Sequence, residues 1–325
     1  MSRIRGKTTT MRPIFYAGID VSKAQLDLAA SDAGAHRFSN DAPGIAALIA
    51  CLRRAAAGRP CRAAFEPTGR MHMALWRALD EAGLGPVPVA PYRARRFAEA
   101  DGRLAKTDAL DAAMLARAAE ALDLAERPAP SEEALRIKEL KTLRDGVTDM
   151  LAAAKNRLRA AEDPLAIGLI EAQIVFWEGQ KADLDRALDQ AISADPETAR
   201  RREIITSIPG FAEVSATTLL VGMPELGALG PKRAGALIGA APMMRQSGAW
   251  TGRARPRGGR RNLAVRLHMA ALAAARANPD MARFRRRLRA AGKPPKVILT
   301  AILRKLVILA DALIRDNRTW RCKNP

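Results

Sequence analysis

Aromatic side chains are scarce, making up 4% of the 325 residues. That scarcity argues against a protein built on base-stacking platforms. Cysteine is scarcer still. Cys51, Cys61 and Cys322 form no Cys-x-x-Cys pair and no Cys/His cluster, which argues against a disulfide scaffold and a zinc site. His36, His72 and His268 show no metal-ligand spacing. No apolar run reaches the roughly 18 residues that span a bilayer. The N-terminal MSRIRGKTTTMRP lacks the apolar centre of a secretion signal. The expectation is a cytoplasmic protein with no membrane partner. Acidic residues are in deficit too: 34 Asp and Glu face 54 Lys and Arg, for a net charge of +20. Such an excess favours a polyanionic partner. It is not evenly spread, since residues 241–325 hold 21 Lys and Arg and 3 Asp and Glu.

What is present is a large apolar content, 48%, ample for folded cores. A chain this long is expected to form two or three domains of ~100–200 residues. Residues 1–12 read as a basic tail. IFYAGIDVS is a buried-strand pattern ending in a carboxylate. Gln25–Ala30 and Ala35–Ser39 add two short strands in a meander. A helix over 43–56, a strand at Cys61–Phe65, a helix over 70–82, a β signal at Val87–Ala90 and helices opened by Pro91 and capped by Thr107 follow. Residues 13–125 therefore read as one mixed α/β domain. Residues 126–199 read as a linker and an antiparallel coiled coil. Its first seam is Leu140, Leu143, Val147, Met150, Ala154 and Leu158; its second is Ile167, Ile170, Ile174, Trp177, Leu184 and Leu188. Residues 200–325 read as a mainly helical, basic domain. Its Gly- and Arg-rich stretch 244–262 is expected to be a hairpin or loop.

Four carboxylates stand at readable positions. Asp20 ends the first strand and Glu66 the later one, in FEPTG. Asp108 and Asp111, in AKTDALDA, are three apart and share one helix face. If the first strand is central, all four can converge. Converging carboxylates repel, and Mg²⁺ or Mn²⁺ relieves the repulsion in an all-oxygen site. Two such ions suit phosphodiester chemistry. Singly, each Asp could be a turn or cap residue. Lys106 could be an ion-pair partner or a phosphate contact.

GIDVSK, EPTG, VAPYRARRF and AKTDALDA resemble the DEDD transposases of the IS-one-hundred-ten group of insertion sequences, which includes the Piv-type DNA invertases. IPGF, GAAPMMRQSGAWTG and GKPPKVILTAILRKL extend the resemblance to nearly the whole chain. The resemblance implies an α/β RNase H-like (RuvC-like) N-terminal domain with Asp20, Glu66, Asp108 and Asp111 as metal-holding tetrad. From its residues alone, Ser247 in RQSG reads as a turn hydroxyl. The resemblance implies a catalytic serine that attacks DNA to give a phosphoserine link, with Ser207 and Ser215 as lesser candidates. It also implies double-stranded donor and target DNA, a structured guide RNA, and a dimer or tetramer assembled through the 131–192 helices. The alternatives are a RuvC-like hydrolytic junction nuclease and a non-catalytic DNA-binding protein.

Arg253, Arg255, Arg257, Arg260 and Arg261 would repel one another without phosphate as counterion. With Arg245, Arg285, Arg286, Lys293 and Lys296 they form the expected nucleic-acid surface. ITSIPGF, at 205–211, is similar to a helix-hairpin-helix turn, or is a plain helix corner. The second glycine of that turn is Ala212 here.

Overall fold

The computed structural model describes residues 14–30, 34–102, 108–244, 246–248, 250–252 and 254–322. Two compact units divide the chain, Met1–Pro130 and Ser131–Pro325.

Unit 1 is α/β. β1 (Phe15–Val21), β2 (Gln25–Ala30) and β3 (Gly34–Ser39) form an antiparallel meander. α1 (Ala42–Ala56) leads to β4 (Cys61–Phe65), α2 (Met73–Glu81) to β5 (Pro86–Pro88), and α3 (Pro91–Ala100) and α4 (Asp108–Ala121) follow. β4 pairs in parallel with β1 and β5 with β4, giving the order β3-β2-β1-β4-β5 with β1 central. Alternation along the strands separates two layers. Phe15, Ala17, Ile19, Leu26, Leu28 and Phe65 pack with Leu48, Leu52, Leu75 and Leu79 of α1 and α2. On the other face Ala64 packs with Val87, Met114, Leu115 and Ala118 under α4. α1 starts where it does because Asp41 accepts a hydrogen bond from the Gly44 amide at 2.8 Å, with Pro43 in the first turn. The Ser39 hydroxyl, donating to Asp41, holds that carboxyl below the usual range, with help from the Gly44 amide.

Unit 2 is mainly helical. α5 (Glu132–Ala160) and α6 (Pro164–Ala194) form a hairpin. Arg144 meets Asp185, Lys155 meets Glu178 and Arg157 meets Gln173, so the two helices run antiparallel. Asp163 caps α6 by accepting from the Ala166 amide, with Pro164 next. The expected seam of α6 faces inward. That of α5 does so only in part. Leu143 and Met150 are 56% and 50% exposed, while Ile137, Lys141, Arg144, Val147, Leu151 and Ala154 are buried. Two long cations take seam positions because carboxylates meet them: Lys141 Nζ lies 2.6 Å from Asp145 and Arg144 Nε 2.8 Å from Asp185. Burial pulls the Lys141 ammonium below its ordinary range, opposed by Asp145.

The remainder of the unit comprises α7 (Pro196–Thr206), α8 (Glu213–Gly222), α9 (Gly230–Leu237), four two-residue strands, α10 (Arg261–Arg266), α11 (His268–Ala277), α12 (Pro279–Ala290) and α13 (Pro295–Arg315). The strands are β6 (Pro242–Met243), β7 (Gln246–Ser247), β8 (Trp250–Thr251) and β9 (Arg255–Pro256). The core joins Ile204, Ile205 and Ile208 to Leu219, Leu267, Ala271, Ile302 and Leu306. The ITSIPGF segment is a packed corner. Ile208 and Phe211 are buried, and a Cβ on Gly210 would lie 2.4 Å from Ala274 Cβ. Among the described residues no helix is long and apolar enough to cross a membrane.

Candidate active site and nucleic-acid interface

β1 and β4 align their carboxylates. Ile19 pairs with Phe65, so the residues that follow, Asp20 and Glu66, reach the same end of neighbouring parallel strands. By alternation both belong to the face that carries α4; both are half-buried. α4 lies hard against β1. A Cβ on Gly18 would sit 1.9 Å from the Ala112 carbonyl oxygen and 2.6 Å from the Ala116 nitrogen. Only glycine permits that approach. It places Asp111, half-buried and one residue before Ala112, on the helix that covers the Asp20 face. Asp108 opens α4, but its side chain, like Lys106, lies outside the described residues.

The donor set is all oxygen, the chemistry that suits Mg²⁺ or Mn²⁺. Among the described residues no group of three or more His, Cys, Asp or Glu side chains could hold a metal ion. Three members of the expected four are thus placed on one side of one sheet, without a closed ligand cluster among the described side chains. Asp27 is not among the carboxylates that the sequence singles out. It stands directly opposite Asp20 in the β1–β2 pairing and is 7% exposed. The alternation of QLDLAA carries the signal, once the antiparallel register is known.

Ser247 sits on a β arm. β6 pairs with β9, placing Met243 opposite Arg255; farther out β7 pairs with β8, placing Ser247 opposite Trp250. Gly248, at φ +56°, takes the turn conformation that disfavours other residues. Ser247 is exposed. The lesser candidates are occupied. Ser207 Oγ donates to the Ile204 carbonyl and accepts from the Trp320 amide, at 2.7 and 2.8 Å. Ser215 Oγ accepts from the Ala212 amide and donates to its carbonyl, capping α8. Among the thiols, burial pushes Cys61 up to about 12, far from a ready nucleophile.

Arg255, Arg257, Arg261, Arg286, Lys293 and Lys296 are exposed. Arg245 and Arg253 lie outside the described residues. Arg260 has a different employment from the one expected. Its guanidinium makes a fork to Glu225 at 2.7 and 2.8 Å and donates to the Gly222 carbonyl at 2.7 Å. It ties the base of the arm to the end of α8, with 34% of its side chain still open to solvent. Arg285 is half-buried and donates to the Ala275 carbonyl at 3.3 Å. His72 is buried beside Phe65 and Trp76, a packing residue. A contrast follows for the arginines. Arg260→Ala is expected to cost about 2 kcal/mol in urea unfolding, since it removes a two-bond fork to the half-buried Glu225 and the bond to the Gly222 carbonyl. Arg257→Ala should leave stability within about 0.5 kcal/mol and lower the salt slope of nucleic-acid binding by about one.

Comparison with known proteins matches both parts of the chain to transposases. Residues 17–163 match the IS110-type DEDD transposase family, and residues 202–286 match the transposase IS116/IS110/IS902 family. The pilin gene-inverting protein of Moraxella bovis is 27% identical over 236 residues, 71% of this chain and 73% of that protein. Its namesake in Moraxella lacunata is similar to the same degree. An insertion element IS110 protein of Streptomyces coelicolor is 31% identical over 143 residues, 43% of this chain and 35% of that protein. The two halves of the molecule thus define an enzyme of the transposase class, a DNA recombinase. The chain belongs to the IS110 family of transposases.

Proposed function

We propose that the protein moves or inverts a DNA segment by metal-dependent strand exchange through a phosphoserine intermediate. Unit 1 is a RuvC-like (RNase H-like) domain in this reading, supported by the strand order β3-β2-β1-β4-β5 with its central β1. The observation that carries the proposal is the in-register placement of Asp20 and Glu66 at one end of adjacent strands, under a helix bearing Asp111. Asp20, Glu66, Asp108 and Asp111 would hold Mg²⁺ or Mn²⁺. When bound, such ions stabilise charge on the attacking and leaving oxygens of a phosphodiester.

Ser247 supplies the nucleophile. Its Oγ forms a bond to phosphorus, the bond to the 3′ oxygen breaks, and that oxygen takes up a proton to balance the one the serine gives up. A 3′-hydroxyl of the partner strand then attacks the phosphoserine, and the serine regains its proton. The number of phosphate ester bonds is unchanged, so no nucleotide is consumed. Exposed arginines beside the arm, Arg255 and Arg257, supply the charge that steadies a phosphate there. The test is a suicide DNA substrate followed by denaturing electrophoresis. A covalent protein–DNA adduct is expected, absent from Ser247→Ala and from Asp20→Asn. Cleavage that survives Ser247→Ala would overturn the serine route in favour of water.

The partners proposed are double-stranded donor and target DNA and a structured guide RNA. The exposed cations Arg261, Arg286, Lys293 and Lys296 support a polyanion surface on unit 2. Copurification of one discrete RNA species, lost on charge reversal at Arg286 and Lys296, tests the RNA. A homo-oligomer belongs to the same reading. Leu165, Leu169 and Phe176 are 73%, 58% and 56% exposed along one stripe of the outer half of α6. Phe176→Glu with Leu169→Glu should shift a dimer or tetramer to monomer in light scattering.

A further inference from the structure

One charged pair in unit 1 has no part in the chemistry above. Asp27 of β2 lies opposite Asp20 of β1 and opposite Arg37 of β3. By alternation all three share the α4 face of the sheet. Arg37 Nε donates to Asp27 Oδ1 at 2.8 Å. Asp27 is nearly buried, with 9% of its side chain exposed, while 55% of the Arg37 side chain is open. Two strand spacings put the Arg37 backbone about 10 Å from that of Asp20. β3 is the edge strand on that side. A guanidinium is a five-donor fork, and a bond through Nε fixes its plane.

We propose that Arg37, oriented by Asp27, is a substrate-positioning residue that grips a backbone phosphate beside the one being cut. This rests on the strand-exchange reading. Three observations support it. A buried carboxylate pointed at an exposed arginine is a costly arrangement if its only product is an edge-strand ion pair, because exposed pairs contribute little. Asp27 is in line with the carboxylate that would hold metal, so the cation lies beside the site instead of elsewhere on the sheet. The carboxylate row itself repels DNA, and a cation at its margin offsets that repulsion where a phosphate strand would enter.

The test uses the full chain and DNA bearing the element end. Arg37→Gln is expected to raise the KM for DNA about tenfold while kcat stays within about twofold. Arg37→Lys should recover most of the loss, as a point charge. A neutral methylphosphonate scanned along the cleaved strand should cost the native protein about tenfold at one position and cost Arg37→Gln nothing there. Equal losses in both proteins at every position, or an unchanged KM in folded Arg37→Gln, would make the pair purely structural. Should Arg37→Gln fail to fold, the same phosphate scan in Asp27→Asn decides, with a smaller penalty at that position expected and an undiminished one contrary. Asp20→Asn separates the two levels. If it cleaves like the native protein, the strand-exchange reading fails; if it is inactive while Arg37 variants behave as native, the inference about Arg37 alone fails.

Discussion

Replacing Gly18 by alanine is expected to lower strand cleavage by about 100-fold and to destabilise unit 1 by roughly 2–3 kcal/mol. The added methyl would stand 1.9 Å from the Ala112 carbonyl oxygen, 2.6 Å from the Ala116 nitrogen and 2.9 Å from the Ala112 carbonyl carbon. All three are backbone atoms of α4, so no rotamer change relieves the clash. Ordinary contacts begin near 3.5 Å, and α4 must therefore retreat by about 1.5 Å. Its retreat carries Asp111 away from the strand that bears Asp20. Displacement of about 1 Å in a catalytic array is enough for losses of this size. Chemical denaturation gives the stability change. The Mn²⁺ titration of the folded variant should show weakened binding, whereas Ser247→Ala should leave Mn²⁺ binding as it is. A Gly18→Ala protein with native cleavage would mean that α4 does not set the position of Asp111.

Much of this domain is legible without coordinates. Gln25–Ala30, Cys61–Phe65 and Pro91–Ala100 fall where alternation, flanking turns and a helix-opening proline put them. The first helix begins one residue before the expected 43, at Ala42. What sequence could not supply was register. Asp27 is one polar residue in a strand until pairing sets it against Asp20. The α5 seam shows the complementary failure. An apolar-period reading selects Leu143 and Met150, which are exposed, over Lys141 and Arg144, which are buried. Their ammonium and guanidinium groups enter because Asp145, one helical turn on, and Asp185, on the facing helix, stand ready to pair with them; the first pair is a local i,i+4 spacing, whereas the second, across the hairpin, leaves no local pattern. Arg260 is a like case. In sequence it is one more cation of a run, and only the fold brings it to Glu225.

Removal of the Asp311 carboxylate should have the largest effect on unit 2. Asp311 is 1% exposed on α13. Oδ1 accepts from the Gly227 and Leu229 amides at 2.8 and 3.2 Å, and Oδ2 from the Gly230 amide at 2.9 Å. Those amides precede and open α9, so one carboxylate satisfies the helix start and faces its positive end. Asp311→Ala strands all three and should cost about 4 kcal/mol, lowering the Tm of the unit by about 10 °C. Asp311→Asn keeps one acceptor oxygen and turns an amide towards a donor; about half the loss is expected. The damage should extend to the arm. The Arg260 amide donates to the Leu237 carbonyl at the end of α9. There Gly239 and Gly259 meet so closely that a Cβ on Gly259 would lie 2.4 Å from the Gly239 nitrogen. β6 and β9, which lead to Ser247, spring from this contact. A loosened α9 should therefore reduce adduct formation at temperatures below the transition, where Asp311→Ala is still folded. Native adduct yield in that variant, together with a lowered Tm, would show that the arm keeps its geometry independently of α9.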